Sequence, residues 1–210
     1  MTRKFTEFAF TPSVKALQER NGTRAQNARL EASEDIRDRL GEAEADFIAA
    51  RDGFYIATTG ENGWPYVQFR GGPKGFLKVL DERNLAYADF RGNVQYITAG
   101  NLDHDGRAAL ILMDYAHRRR LKLWVRIKVV DAAAAPELVA TLRMPGYRAR
   151  IERAMVMTLE AFDWNCPQHI TPRFTEDEIR QMLIPVQARI AELEEEIAFL
   201  KRNADRMAAT

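Results

Sequence analysis

The stretch RLKLWVRIKVVD, residues 120–131, decides the fold class of this chain. Its apolar side chains recur at every second position, and five of them match one face of an extended strand: Leu121, Leu123, Val125, Ile127 and Val129. The positions between them carry Lys122, Trp124, Arg126 and Lys128. A period of two with one apolar face is typical of an antiparallel strand that is half buried. The stretch therefore predicts a sheet with one face on a core.

Segments of the same kind lie on both sides of this stretch. Strands are predicted at residues 54–58, 64–70, 75–80, 84–89, 108–114 and 153–162. The turn Glu61-Asn62-Gly63 joins the first two into a hairpin. Helical patterns are confined to residues 12–20, 42–50, 94–103 and 136–143. Six or seven short strands with helices at the edges predict a mainly β fold, an antiparallel barrel that is closed or nearly closed.

The C-terminal tail has a helical period instead. Thr175-Glu176-Asp177-Glu178 is a capping box that opens a helix. Apolar residues then follow at spacings of four and three, which define a heptad seam: Ile179, Leu183, Val186, Ile190, Leu193, Ile197 and Leu200. Pro185 predicts a kink or a restart of the helix near Ile184. The seam is compatible with a helix packed on its own barrel and with a self-associating coiled coil.

Composition excludes several classes of function. The 210 residues carry 31 Lys and Arg against 30 Asp and Glu, a net charge of +1, so the strongly basic footprint of a nucleic-acid or membrane-surface protein is absent. One cysteine, Cys166, permits neither an intrachain disulfide nor a cysteine-cluster metal site. No apolar run approaches about 18 residues. We expect a cytoplasmic protein with no metal, no nucleic-acid partner and no membrane partner.

Two basic loops on neighbouring hairpins suggest a ligand. Residues 67–76 end a strand in a glycine-rich turn with Arg70 and Lys74, and residues 89–96 follow with Arg91 and several amides. Glycines let backbone amides approach an anion, Arg offers paired donors to a phosphate, and amide and aromatic side chains can bind a polar ring. A plain hairpin with solvated cations has the same composition, so both interpretations stand for the first loop.

From Ala45 to Ile170 the chain resembles the flavin-binding split barrels related to pyridoxamine 5′-phosphate oxidase. The segments that carry the resemblance are Phe47–Thr58, Pro65–Phe76, Asp89–Asn93, Gly100–Leu102, Asp105–Leu110 and Trp164–Ile170. The resemblance implies a six-stranded antiparallel split β-barrel and a homodimer with one FMN in each of two clefts at its interface. Together with the residue patterns outside it, the resemblance predicts three regions, namely a helical or irregular extension at 1–44, the FMN-binding split-barrel domain at 45–172 and a coiled-coil-like helical tail at 173–210.

The resemblance also implies the residues that contact FMN. Along the isoalloxazine ring these are Gln68, Phe69, Arg70 and Gly71. At the ribityl phosphate they are Arg91, Asn93, Gln95 and Tyr96, with support from Asn101. At the flavin edge, from the same or the other protomer, they are Trp164, Asn165, Gln168 and His169.

The chain departs from pyridoxamine 5′-phosphate oxidase after Ile170, where the Arg-rich motif with His that binds the substrate phosphate has no counterpart. We therefore expect an FMN-dependent oxidoreductase acting on another small molecule, and no true pyridoxamine 5′-phosphate oxidase. No carboxylate pair stands out as acid and base, which favours chemistry done by a cofactor; the catalytic residues, substrate and electron donor remain open. A non-catalytic flavin- or haem-binding split barrel is the alternative. For Cys166 a buried structural thiol is the expectation.

Overall fold

A computed structural model describes residues 3–208, and its centre is one antiparallel sheet of seven strands. The strands are β1 (Gly53–Thr59), β2 (Pro65–Gly71), β3 (Lys78–Val79), β4 (Asn84–Phe90), β5 (Arg107–Asp114), β6 (Arg119–Asp131) and β7 (Ile151–Trp164). Their order across the sheet is β2-β1-β5-β6-β7-β4-β3. The mainly β fold predicted from sequence is confirmed.

The predictions of six strands and of a closed or nearly closed barrel are wrong for the described chain. The two edge strands are β2 and β3, and no pairing between them is present among residues 3–208. The strand predicted at 75–80 shrinks to Lys78–Val79, because Phe76 and Leu77 turn inward and are 2% exposed. Two residues pair with β4 through Leu85 and Ala86, which is too short a ladder to extend toward the opposite edge.

The apolar face of β6 forms the middle of the core. Leu121, Leu123 and Val125 are buried there, and the alternation along this strand matches the pattern that predicted it. Neighbouring strands add Leu110 and Leu112 of β5 on the same side. Burying an aliphatic side chain of this size is worth about 1.5–3 kcal/mol, so this row accounts for much of the stability of the sheet.

The helices lie between and around the strands. Their bounds are α1 (Lys4–Ala9), α2 (Pro12–Arg20), α3 (Arg24–Glu31), α4 (Glu42–Ala49), α5 (Ile97–His104), α6 (Pro136–Leu142) and α7 (Glu176–Ala208), with a short 3₁₀ turn at Ala132–Ala134. Pro12 occupies the first position of α2, where a missing N–H costs nothing. The backbone N–H of Gly41 donates to Glu44 Oε2 at 3.0 Å and fixes the start of α4, which buries Phe47 and Ile48.

The outward face of β6 is partly covered by the N-terminal helix α1. The Phe5 ring stacks on Trp124 with 5.9 Å between centroids, and Phe5 itself is buried. The aromatic residue in the otherwise basic row of β6 is therefore explained by packing within this chain.

Helix α7 is continuous from Glu176 to Ala208, with Pro185 inside it, so the predicted restart near Ile184 is not observed. The capping box is confirmed, since Glu178 accepts from the Thr175 N–H at 2.7 Å and donates its own N–H to Thr175 Oγ1 at 3.2 Å. Contacts divide the chain into two compact units. One unit comprises the described residues up to Asp114 together with Arg118–Ile170. The other comprises Tyr115–His117 and the described residues from Thr171 onward. No helix among the described residues is long and apolar enough to cross a membrane.

Candidate functional site

A groove with a cavity volume of about 220 Å³ lies where β2, β4, α5 and the start of β7 meet. Its lining consists of Tyr66, Gln68, Arg70, Asp89, Phe90, Gly92, Asn93, Val94, Gln95, Tyr96, Ile97, Ala99, Glu152 and Arg153. Both basic loops singled out in the sequence therefore contribute to one site.

The Asp89 carboxylate lies between two guanidinium groups in this groove. Arg153 Nε donates to Asp89 Oδ2 at 2.9 Å, and Arg70 Nη1 lies 3.1 Å from Asp89 Oδ1. The strand register brings them together, because Asp89 of β4 is paired with Arg153 of β7. The Asp89 side chain is only 4% exposed, so a charge there has to be paired. Burial alone would lower the pKa of Arg153, but the hydrogen bond and charge of Asp89 outweigh it and the pKa is raised.

A second carboxylate continues this cluster outward. Glu152 Oε2 accepts from Arg153 at 3.1 Å, and Glu152 Oε1 lies 3.7 Å from Arg91 Nε. Three guanidinium groups (Arg70, Arg91, Arg153) thus face two carboxylates (Asp89, Glu152), which leaves one positive charge in excess. The outermost of them, Arg91, is half exposed. The groove is therefore electrostatically suited to an anion.

The loop that leads into α5 is strained. Val94 and Tyr96 both have positive φ, +56° and +55°. Such a conformation is an outlier for a β-branched residue and costs about 1–3 kcal/mol, and outliers of this kind concentrate at ligand sites. The guanidinium of Arg153 packs on the ring of Tyr96 in this loop, 4.7 Å from the ring centroid.

The first turn of α5 opens into the same groove. Tyr96 occupies the N-cap position without a side-chain cap, so it leaves the first N–H groups of the helix without that partner. Ile97 and Ala99 of this turn line the groove. An uncapped helix N-terminus beside exposed guanidinium donors favours negative charge.

Gln68 supplies an oriented amide on the floor of the groove. Its Oε1 accepts from Thr98 Oγ1 at 2.7 Å, which fixes the orientation of the side chain. Across the described residues no protein acceptor is present for the two N–H donors of this amide. Asn93 and Gln95 form a smaller amide pair at the rim, with 3.3 Å between Asn93 Nδ2 and Gln95 Oε1.

Two buried polar atoms behind the groove lack hydrogen-bond partners. They are the phenol oxygen of Tyr87 and Nε of Arg70. Burial raises the pKa of the Tyr87 phenol, and the positive charge of Arg70 offsets only part of that rise. Tyr87 is therefore a neutral hydroxyl at all physiological pH values. Unsatisfied buried groups are rare in folded proteins and point to a missing partner such as a ligand or water.

The residues expected to contact FMN separate into two sets in one chain. Gln68, Arg70, Asn93, Gln95 and Tyr96 line the groove. Arg91 joins it through Glu152, while Phe69 and Gly71 border a smaller adjoining cavity that shares Arg70 and Asp89. Asn101 donates to Thr58 Oγ1 at 3.0 Å and borders a neighbouring cavity that shares Tyr66 and Ile97 with the groove.

The other set, Trp164, Asn165, Gln168 and His169, does not line the groove of one chain. Trp164 is eleven positions beyond Arg153 along β7. Its Nε1 donates to Glu44 Oε1 at 2.7 Å, and its ring packs edge-on against Phe47. Asn165 Oδ1 is buried without a partner, and His169 has a positive φ of +63°.

Two other expectations are corrected. Cys166 is exposed, so the predicted buried thiol is wrong. The glycine-rich turn is no anion cradle of free amides, because the Gly72 N–H donates to the Asp52 carbonyl at 2.9 Å and the Gly75 N–H to the Arg51 carbonyl at 3.1 Å. Gly75 is required there by its φ of +77°.

Sequence reasoning missed the acidic half of the site. Asp89 stood at the start of the second loop, Glu152 preceded the predicted strand 153–162 and Arg153 opened it, but none was selected because their pairing depends on strand register. The signal was the presence of a charged residue at a strand position where alternation requires burial. Among the described residues no cluster of His, Cys, Asp or Glu could hold a metal ion.

The fold is an antiparallel sheet with a cationic, amide-lined groove at one end, and the charge of this groove is suited to a small anionic ligand. The chain belongs to the pyridoxamine 5′-phosphate oxidase family, whose family model matches residues 40–163. The resemblance noted in the sequence is thereby confirmed.

Three solved structures with a similar fold are distant in sequence. A candidate pyridoxamine 5′-phosphate oxidase from Lactobacillus delbrueckii is 19% identical, with a TM-score of 0.46 over 60% of this chain and 94% of that one. HupZ from Group A Streptococcus is 14% identical, with a TM-score of 0.45 over 64% and 99%. An FMN-binding protein from Syntrophomonas wolfei is 11% identical, with a TM-score of 0.44 over 57% and 81%. Among curated proteins no sequence matches this chain.

Proposed function

We propose that the groove binds FMN and that the protein is a flavin-dependent oxidoreductase, which exchanges hydride or electrons between FMN and a small molecule. The observation that carries the proposal is the cluster of three guanidinium groups around Asp89 and Glu152, with its excess positive charge. Membership in the pyridoxamine 5′-phosphate oxidase family supports a flavin as the ligand.

Each part of FMN has suitable partners in the groove. Arg91 and the uncapped first turn of α5 offer donors for the phosphate. Gln68, through its fixed amide, and Arg70, through its guanidinium, offer donors for the polar edge of the ring. When bound, FMN supplies reversible hydride and electron transfer.

The protein's contribution to this chemistry is electrostatic. Asp89 holds Arg70 in place before the ligand arrives, so no reorganisation is needed to present a cation to the ring. A cation near the ring favours its reduced, more negative form. The strained loop at Val94 and Tyr96 lines the same groove.

We propose further that the protein acts as a homodimer with FMN at the interface. The groove of one chain is about 220 Å³, which is below the roughly 300–1,000 Å³ of typical ligand pockets. The outward face of β2, β1 and β5 carries Tyr55, Val67, Phe69 and Ile111, which are 38–62% exposed. Register places Phe69, Tyr55 and Ile111 side by side on three adjacent strands. A second copy would cover this apolar row.

A dimer also offers a role for the segment Trp164–His169. Because this segment does not line the groove of its own chain, we propose that it contacts the flavin of the other protomer.

The test begins with the purified full-length chain. We expect bound flavin that is released as FMN, and anaerobic reduction of that flavin by at least one of NADH, NADPH or a reduced small-molecule donor. If no donor reduces the flavin, the oxidoreductase activity is contradicted and the protein only stores flavin. A haem spectrum would contradict flavin binding itself. Incubation with pyridoxine 5′-phosphate is expected to give no oxidised product, because the motif for its phosphate is absent after Ile170.

A further inference from the structure

The heptad seam of α7 is an uncovered apolar stripe. Its seven members, Ile179, Leu183, Val186, Ile190, Leu193, Ile197 and Leu200, are 40–57% exposed. A spacing of three residues marks the step from heptad position a to d, so Leu183, Ile190 and Ile197 occupy a. Val186, Leu193 and Leu200 occupy d. Over 33 residues the helix is about 50 Å long, and such a stripe in water requires a partner.

The residue types in the seam identify a partner of the same kind. From Ile190 to Leu200 position a is Ile and position d is Leu, the combination that favours two parallel strands. Pro185 occupies position c, on the outside of the seam, where it does not obstruct a neighbouring helix.

The flanking charges match a second copy in parallel register. In a parallel pair, position g of one helix faces position e of the next heptad on the other helix, five residues further on. Arg189 at g would face Glu194 at e, and Glu196 at g would face Lys201 at e. Both pairs are attractive, and the two-fold symmetry of a homodimer repeats each of them. In the single chain Arg189 contacts Glu192, at position c of its own helix, at 2.8 Å, and the interhelical pair would share or replace this contact.

We propose that α7 pairs with α7 of a second copy of this chain as a parallel, in-register, two-stranded coiled coil. This surface is separate from the flavin groove, and the proposal does not depend on the proposed function. The repeated contacts are the apolar seam and the pairs 189 with 194 and 196 with 201.

A disulfide tests the orientation in the full-length chain. Cys166 is replaced by Ser first, because it is exposed and is the single native cysteine. In that background Ala204→Cys puts a thiol at position a, beyond Leu200. In a parallel pair the two thiols meet and mild oxidation links the chains. In an antiparallel pair they would be roughly 40 Å apart. Ala188→Cys, at position f on the opposite side of the helix, is the matched control.

We expect the Ala204→Cys chain to become a covalent dimer at least tenfold faster than the Ala188→Cys chain. Equal rates, or no dimer from either variant, would overturn the proposal, because the seam would then be covered by some other occupant or in another orientation. Far-ultraviolet circular dichroism of each variant shows whether α7 stays helical, so that a slow rate is not the result of unfolding.

A charge reversal tests the register. Glu196→Lys places two lysines opposite each other at both symmetric copies of the pair with Lys201. We expect the rate of disulfide formation in the Ala204→Cys chain to fall about fivefold to tenfold. Adding Lys201→Glu restores the rate. Glu195→Lys, at position f, makes the same change in net charge and leaves the rate within twofold. An equal fall for Glu195→Lys and Glu196→Lys, or no rescue by Lys201→Glu, would contradict the in-register pairing.

Discussion

Arg153 donates through Nε to the Oδ2 atom of Asp89 at 2.9 Å, across the β4–β7 ladder. The pair is buried at the floor of the groove, and Arg70 lies on the other side of the same carboxylate. Asp89 is thus the residue on which both buried cations of the site depend.

Asp89→Asn keeps the size of the side chain and removes the charge that pairs the two guanidiniums. Removing one partner of a buried ion pair leaves the other charge buried without a partner, so we expect the free energy of unfolding to fall by about 3 kcal/mol. Urea denaturation measures it. The control is Asp105→Asn, whose carboxylate pairs with Arg107 at the surface. Loss of equal stability in both variants would mean that the Asp89 cluster has no special role in the fold.

Arg91→Ala removes the most exposed cation of the groove. A charged hydrogen bond to phosphate is worth about 1.5–3 kcal/mol, and we expect FMN binding to weaken by that amount. Titration of the apoprotein by flavin fluorescence gives the Kd. Arg126→Ala is the control, since Arg126 pairs with Glu160 on β7 and does not border the groove. An unchanged Kd for Arg91→Ala would show that the phosphate binds elsewhere.

At acidic pH two aspartates contribute with opposite sign to the pH dependence of the free energy of unfolding. Burial raises the pKa of Asp163 above 3.8, and nearby Lys122 and Arg37 reverse only part of this. The folded state therefore holds this proton more tightly than the unfolded state, and stability falls as pH rises between 3.8 and the raised pKa. Asp163→Asn should make the pH slope of stability more positive in that window.

Asp105 is the matched case. The Arg107 guanidinium lowers the pKa of its carboxyl to about 2. The unfolded state takes up this proton first, so stability is lost as pH falls from 3.8 toward 2, and Asp105→Asn should flatten that loss. Urea midpoints between pH 2 and pH 6 check both variants. Slopes that change in the same direction would contradict the assignment of the two shifts.

Val94→Gly tests the strain in the loop before α5. Glycine adopts a φ of +56° without the clash that valine suffers, and Val94 buries little surface there. We expect the free energy of unfolding to rise by about 0.5–1 kcal/mol. Val67→Gly, at a position in β2 that is 62% exposed against 46% for Val94 and has ordinary strand geometry, should lower it by a similar amount. A loss in both variants would show that the loop is unstrained.

Local periodicity predicted most of the sheet but not the contacts of the site. The alternation in β6 and the heptads of α7 are local signals, and both elements appear where those signals stand. The Asp89–Arg153 pair joins residues 64 positions apart, and only the register of β4 on β7 makes them neighbours. The glycine-rich turn misled for the same reason, because its amides bond to the carbonyls of Arg51 and Asp52 at the end of α4.

The length of β3 depended on a similar non-local choice, whereas all seven strands match segments that the sequence predicted. Phe76 and Leu77 are as apolar as strand residues, and the sequence contains no sign that they leave the ladder to fill the core beneath Phe54. Of the expected FMN contacts, Gln68, Arg70, Asn93, Gln95 and Tyr96 line one groove, although β2 and β4 lie toward opposite edges of the sheet.

The most direct measurement for the central claim is the cofactor content of the full-length protein as purified. An absorbance spectrum is recorded, the protein is denatured, and the released compound is identified by chromatography and mass spectrometry. We predict a flavin spectrum and FMN near one equivalent per chain, reduced to a small fraction in Arg91→Ala and unchanged in Arg126→Ala. A colourless protein that fails to bind added FMN, or one that carries haem, would contradict the account.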